Sequence, residues 1–223
     1  MAVTDEAITK IKAMLTSGEL KAGDRIPPEK ELSERLGLSR SSLREAVKAL
    51  ELARVLDVRR GDGTYVTSLE PAILMETLSF VVDLHQEGAA AELLEVRRIL
   101  EPGSASLAAR RITPGTAAEL RTCLAAVGDG SSVEDLIAHD LAFHALVAKA
   151  SGNAYLHGLL EGLAAGTLRG RIWNGLVQDK AVSATLAEHG AIAAAITAGD
   201  PDLARALMTV HVSGVESRIR AVA

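Results

Sequence analysis

Pro28-Glu29-Lys30-Glu31-Leu32-Ser33-Glu34-Arg35-Leu36-Gly37-Leu38-Ser39-Arg40-Ser41-Ser42-Leu43-Arg44 is the stretch whose reading decides the fold. Pro28 suits the first position of a helix, where its missing N–H would be unpaired anyway, and the helix it opens runs to about Leu36. Gly37 breaks that helix. Ser39 then caps a further helix from Arg40 to about Ala53, with Leu43, Val47 and Leu50 on one face. Two helices joined by three or four residues form a helix-turn-helix unit. Upstream, Ile8, Ile11 and Leu15 follow helical spacing and end at Ser17-Gly18, and Asp24 suits a turn. Downstream, Val55 to Arg59 and Thr64 to Thr67 are β-prone segments around Arg60-Gly61-Asp62-Gly63, whose glycines admit the positive φ angles of a tight hairpin. Two strands after a helix-turn-helix make its winged form.

From residue 71 onward the patterns are helical, with breaks near Glu87-Gly88, Thr113-Pro114-Gly115, Gly128-Asp129-Gly130, Ser151-Gly152-Asn153, Asn174-Gly175 and Gly199-Asp200-Pro201. They outline an all-α bundle of about six or seven helices, in which Asn153 and Asp200 are helix caps and abundant alanine lets helices approach closely. The expectation is a mainly α protein: residues 1–68 a winged helix-turn-helix, residues 71–223 the bundle.

A hydrophobic fraction of 48% in 223 residues excludes a disordered chain. Five aromatic residues (Tyr65, Phe80, Phe143, Tyr155, Trp173) argue against a single-strand-binding surface built from stacking rings. One cysteine, Cys123, cannot form an internal disulfide. The first residues lack the basic-then-apolar order of a signal peptide, and no apolar run approaches the roughly 18 residues of a membrane helix, so a cytoplasmic protein with no membrane partner is expected. The net charge of −5 conceals a division: residues 1–68 sum to +1 and residues 69–223 to −6. Within the first part, residues 35–60 hold seven basic side chains against three acidic ones, a local patch that phosphates attract.

Arg40 and Arg44 lie four apart, so they share one face at the start of the third helix and point outward. Recognition helices read base edges with their N-terminal residues, arginine pairs bidentately with guanine, and serine hydroxyls with helix N-terminal amides hold phosphates. A lone basic helix would read equally well as a solvated face; the short preceding helix, Gly37 and the basic hairpin weigh for double-stranded DNA. Gly18-Glu19-Leu20-Lys21-Ala22-Gly23-Asp24-Arg25-Ile26-Pro27-Pro28-Glu29, Leu32, Ser39-Arg40, Arg44-Glu45-Ala46, Leu50-Glu51 and Gly61-Asp62-Gly63-Thr64-Tyr65-Val66 together resemble the winged helix-turn-helix of GntR-family bacterial transcription regulators, over about residues 5–68. The resemblance implies DNA contacts from Lys30, from Ser39, Arg40, Ser41 and Arg44, and from Arg60 and Gly61 at the wing tip. The chain departs from the family pattern at Lys30, where arginine is common, and at Ala53-Arg54-Val55-Leu56, where a glycine usually precedes the wing; Arg54 offers a further phosphate contact.

In the bundle, Asp140 and His144 project from one inward face of a helix, while His189 and His211 lie on later helices among apolar residues. Any one of these histidines alone reads as a satisfied core residue. Three imidazoles and one carboxylate satisfy each other through a divalent cation, the set suiting zinc, nickel or manganese. Asp140-x-x-x-His144, Glu188-His189-x-x-Ile192, Ala195-Ile196-x-x-Gly199-Asp200 and Ala206-x-Met208-x-x-His211, with Glu95-Val96-Arg97 and Leu100-Glu101 ahead of them, resemble the FCD ligand-binding domain of the FadR subfamily over about residues 71–215. That resemblance implies an antiparallel helical bundle with a metal held by Asp140, His144, His189 and His211 at an effector pocket.

Arg97 is the candidate anchor for a small carboxylate effector, with Arg169 and Arg171 behind it; the plainer alternative is a surface salt bridge from Arg97 or Arg98 to Glu95 or Glu101. His85, His139 and His157 are expected at the surface or partly solvated, with His139 pointing away from the Asp140 face, and Phe143 and Trp173 in the core. The favoured reading is a ligand-responsive repressor binding a pseudo-palindrome as a homodimer, since one wing domain spans only a few base pairs. Two alternatives stay open: a purely structural metal with no effector, and a metal-dependent hydrolase. The latter has only Glu188 as an obvious general base, and its side chain should point about 100° from His189 around the helix.

Overall fold

The computed structural model describes residues 3–74, 90–128, 130–164 and 182–222. The chain divides into two compact units, Met1–Leu74 and Met75–Ala223.

In the first unit, helix α1 (Val3–Thr16) buries Ala7, Ile11 and Met14, while Ile8 and Leu15 are half-buried at the edge of that face. Helix α2 (Glu29–Leu36) starts one residue later than expected, because Pro28 stands at the cap with extended backbone and not in the first turn. Gly37 closes α2 in the left-handed region at φ 65°, where its N–H and that of Leu38 donate to the Glu34 and Ser33 carbonyls. Helix α3 (Arg40–Leu52) is capped by Ser39, whose Oγ accepts from the Ser42 N–H at 3.1 Å. Strands β1 (Leu56–Arg59) and β2 (Gly63–Val66) pair antiparallel with Leu56 opposite Val66 and Arg59 opposite Gly63. The connection from α1 to α2 flanks β2 on its other edge: the Ile26 N–H donates to Thr64 O at 2.9 Å and the Val66 N–H to Asp24 O at 2.8 Å. Ile11, Met14, Leu20, Ile26, Leu32, Leu43, Val47, Leu56 and Val66 form one core, so three helices and the wing share the same apolar centre. Arg54, within the segment ahead of the wing where the resemblance implies a glycine, adopts φ 59°, and its carbonyl accepts from Thr67 Oγ1 at 2.8 Å.

After the short helix α4 (Pro71–Leu74), the second unit contains six helices among the described residues: α5 (Ala90–Arg111), α6 (Pro114–Ala125), α7 (Val133–Ala150), α8 (Ala154–Gly162), α9 (Val182–Thr197) and α10 (Pro201–Val222). Thr113, Ser132 and Asn153 cap α6, α7 and α8 through their side-chain oxygens, and Asp200 Oδ1 accepts from the Leu203 N–H at the start of α10. Thr113, Asn153 and Asp200 fall within the sequence breaks and Ser132 two residues after one, and in each case a short polar side chain satisfies amides that the helix itself leaves unpaired. The breaks at Glu87-Gly88 and Asn174-Gly175 lie outside the described residues. Leu120, Phe143, Val147, Ile192, Ile196, Met208 and Val212 build the core, and buried Ala105, Ala108, Ala193, Ala195 and Ala204 let the helices carrying them pack closely. Among the described residues no helix is long and apolar enough to cross a membrane.

Candidate functional site

In the first unit every residue expected at a DNA surface is solvent-exposed: Lys30 on α2, Ser39, Arg40, Ser41 and Arg44 at the start of α3, Arg60 and Gly61 at the hairpin turn. Ser39 Oγ is committed to the cap and lies 2.9 Å from Ser41 Oγ and 2.7 Å from Ser42 Oγ. Arg44 points outward but is partnered: its Nε and Nη2 donate to Glu29 Oε2 at 3.2 and 3.0 Å, and this bond raises the guanidinium pKa above its usual value. Gly61 turns the hairpin at φ 78°. Sequence reasoning passed over Arg25, which donates to the Asp62 carbonyl and so braces the wing tip from beneath. A Cβ at Gly63, whose φ is 143°, would meet Arg25 Nε at 2.5 Å, so only glycine leaves room for that brace. Arg59 stacks over Tyr65 at 4.2 Å and pairs with Asp57 at 2.9 Å.

In the second unit, α7 brings Asp140 and His144 to one face, α9 adds His189 and α10 adds His211, all buried, and one ligand atom from each lies within 4.8 Å of the others. His189 Nε2 is 3.3 Å from His211 Nε2 and 3.7 Å from Asp140 Oδ1, and His144 Nε2 is 3.6 Å from the same Asp140 oxygen. A tetrahedral ion with bonds of about 2.0–2.1 Å spaces its donors by about 3.3–3.4 Å, so these separations fit a divalent metal. His144 Nε2 is buried and has no hydrogen-bond partner among the described residues, as a metal-directed lone pair would be. Phe143 stacks on the His189 ring with centroids 4.3 Å apart and holds its plane.

The far edges of the imidazoles are also engaged. His211 Nδ1 donates to Glu188 Oε2 at 2.8 Å, and burial nonetheless pushes the His211 pKa down, keeping the ring neutral and fit for ligation. Glu101 Oε2 stands 2.8 Å from His144 Nδ1, an ion-pair distance poorly aligned for a hydrogen bond, and Glu101 Oε1 accepts from Arg97 Nε at 2.5 Å. Burial alone would raise the Glu101 pKa; the Arg97 guanidinium and His144 outweigh it and hold the carboxyl well below the usual range. Arg97 thus makes the salt bridge of the plainer reading, but in the interior beside the Asp140–His144–His189–His211 cluster and not on the helix surface. Arg98 pairs with Glu216 at 3.3 Å.

One expectation is corrected. His139 is not a solvated residue turned away from the site: it is buried, and its Nε2 lies 3.0 Å from His189 Nδ1. The reason is that α7 packs on two flanks, so the position about 100° round from Asp140 also faces a helix. Glu188, the candidate base of the hydrolase alternative, is bound to the outer edge of His211, opposite the nitrogen that faces the cluster. His157 is partly exposed, 3.8 Å from Glu161. Phe143 is fully buried, while His85, Arg169, Arg171 and Trp173 lie outside the described residues.

Residues 3–66 match the bacterial regulatory proteins of the gntR family, and residues 92–214 match the FCD domain. The chain is 35% identical over 213 residues to the HTH-type transcriptional regulator LutR of Bacillus subtilis (strain 168), covering 91% of this chain and 94% of that protein. It is 32% identical over 228 residues to the Escherichia coli (strain K12) protein named "Putative L-lactate dehydrogenase operon regulatory protein", covering 98% and 86%. The solved structure of Streptococcus agalactiae GntR superposes with a TM-score of 0.71 at 28% identity, covering 96% of this chain and 99% of that one. These families and relatives are transcription regulators, not enzymes, and the hydrolase alternative falls with them. A winged helix-turn-helix with an exposed basic recognition helix, followed by an FCD helical domain, makes this chain a DNA-binding member of the GntR family of bacterial transcription regulators.

Proposed function

We propose that the protein is a homodimeric repressor of the FadR subfamily, with residues 1–68 gripping a pseudo-palindromic operator and residues 71–223 sensing a small organic acid at a metal centre. The observation that carries this reading is the buried convergence of Asp140, His144, His189 and His211, with His144 Nε2 left without a hydrogen-bond partner among the described residues. Lys30, Ser41, Arg60 and Gly61 serve the DNA backbone, the cap serine Ser39 orients the start of α3, and Arg40 and Arg44 read bases. In the bundle the four ligands hold zinc, nickel or manganese, and a bound ion supplies Lewis-acid positions for the oxygens of the acid. Arg97, steadied through Nε by Glu101, presents its remaining donors to the acid's carboxylate. One relative's name attaches it to an L-lactate dehydrogenase operon, and L-lactate is an acid of this class, whose hydroxyl and carboxylate can bind an ion together.

Because α5, α7, α9 and α10 each contribute a side chain to the centre, an acid that favours one helix arrangement over another shifts the population toward it and changes the spacing of the two DNA-binding heads. The test is operator affinity by fluorescence anisotropy, with and without metal, while L-lactate and related carboxylates are titrated. The expected coupling is a change of about 5–150-fold that needs the metal. Unchanged affinity after demonstrated occupancy refutes effector control. The burial of all four ligands favours a second reading, a structural ion; the same titration separates the two, since a structural ion leaves the DNA affinity indifferent to every acid while its removal unfolds the bundle.

A further inference from the structure

The three imidazoles of the cluster differ in what stands behind them. His144 and His211 each put Nδ1 2.8 Å from a carboxylate oxygen, of Glu101 and of Glu188. His189 instead meets a fourth imidazole, with its Nδ1 3.0 Å from His139 Nε2, and His139 Nδ1 lies 3.2 Å from the Cys123 backbone carbonyl. A carboxylate accepts from either tautomer's N–H, but an imidazole gives or takes a proton depending on its own tautomer, so the direction of the His139–His189 bond must be set from outside.

We infer that His139 is a positioning residue for the metal centre: the Cys123 carbonyl fixes its proton on Nδ1, and it thereby fixes the proton of His189 on Nδ1 and the His189 lone pair on Nε2. A carbonyl oxygen can only accept, so His139 Nδ1 must be the donor, which leaves His139 Nε2 as an acceptor. His189 Nδ1 is then the donor, and its Nε2, the atom 3.3 Å from His211 Nε2 and 3.7 Å from Asp140 Oδ1, is unprotonated and aimed at the cluster. Cys123 lies in the last turn of α6, where its carbonyl accepts the Ala126 N–H at 3.3 Å and keeps a second lone pair for His139. The Cys123 thiol, 3.7 Å from His139 Nδ1, would impose the opposite tautomer if it donated there, but the closer carbonyl would then face a nitrogen lone pair. Phe143 against the His189 face stops the ring from turning out of line.

This inference rests on the metal reading, and its test separates the two. Zinc affinity of the full chain is measured by competition with a chromogenic chelator, and long-range 1H–15N spectra of the metal-free protein report which nitrogen of His189 is protonated. His139→Leu should lower zinc affinity about 10–100-fold and convert His189 from the Nδ1–H form to a mixture. His139→Gln, which keeps an acceptor near the Nε2 position, should lose less than about tenfold, and Cys123→Ala, which keeps the carbonyl, should change neither reading. A folded His139→Leu protein with wild-type zinc affinity overturns the inference, as does a wild-type spectrum with His189 protonated on Nε2 or a tautomer change in Cys123→Ala. Should wild-type protein take up no zinc while His189 is held as Nδ1–H, the metal reading falls and the tautomer relay stands.

Discussion

Glu101→Gln is the substitution that most directly weighs the buried charge pair behind the candidate metal site. Arg97 and Glu101 sit one turn apart on α5 with side chains each 5% exposed and Nε 2.5 Å from Oε1, so neither charge is shared with bulk water. Glutamine keeps the shape and an acceptor oxygen but removes the negative charge, leaving the guanidinium buried without its counter-ion. Breaking such a pair from one side costs about 3–5 kcal/mol. The same change at Glu119, which pairs with Lys149 at 3.5 Å with both side chains about half exposed or more, should cost no more than about 1 kcal/mol. Removing both partners, Arg97→Met with Glu101→Leu, should recover most of the loss, because no uncompensated charge then remains inside. Urea unfolding of chelator-treated protein, followed by far-ultraviolet circular dichroism, measures wild type and all three variants without a metal contribution. A Glu101→Gln cost equal to that of Glu119→Gln would refute the reasoning, and so would a double variant as unstable as the single one.

Three further outcomes are expected. Arg54→Gly should stabilise the first unit by about 0.5–1 kcal/mol in urea unfolding, since a left-handed non-glycine residue costs about 1–2 kcal/mol and glycine's extra chain entropy returns only part of it; a destabilised variant would show that the arginine side chain outweighs the strain. Ser39→Ala should cost about 1 kcal/mol of stability through the lost cap, while Ser39→Asp should keep the cap, and thermal unfolding of the two distinguishes them. Arg40→Ala and Arg44→Ala should each lose about 1–3 kcal/mol at the cognate operator and less on random DNA, in parallel anisotropy titrations; equal losses on both would assign that arginine to phosphate.

What the sequence made legible was local. Gly37 as the end of α2, Ser39 as cap, and Leu43 and Val47 on one face of α3 are dictated by residues a turn or two apart. Asp140 and His144 were legible for the same reason, as a pair one turn apart, and His189 and His211 as polar residues inside apolar stretches. His139 was misread because helix periodicity says which residues share a face but not how many faces are covered. Leu136, His139 and Phe143 form a stripe beside the one carrying Asp140 and His144, and both are buried. Arg25 escaped notice because its partner, the Asp62 carbonyl, lies 37 residues away and meets it only after the wing folds back on the α1–α2 connection. Glu101 was visible only as a possible surface partner, since nothing within α5 announces that His144 of α7 stands at its other oxygen.

If Arg44 reads bases as proposed, its bond to Glu29 gives α3 a built-in competitor. Before that guanidinium can engage a nucleotide it must leave an acceptor already seated 3.0 Å away, and the abandoned carboxylate then lies close to the polyanion. At this exposed position water screens the pair, so the handicap is small. A guanine edge offering two aligned acceptors overcomes it; a lone phosphate oxygen gains less. Erasing the carboxylate should therefore tighten grip everywhere and narrow the margin between right and wrong sequences, making the protein a stronger binder and a poorer reader.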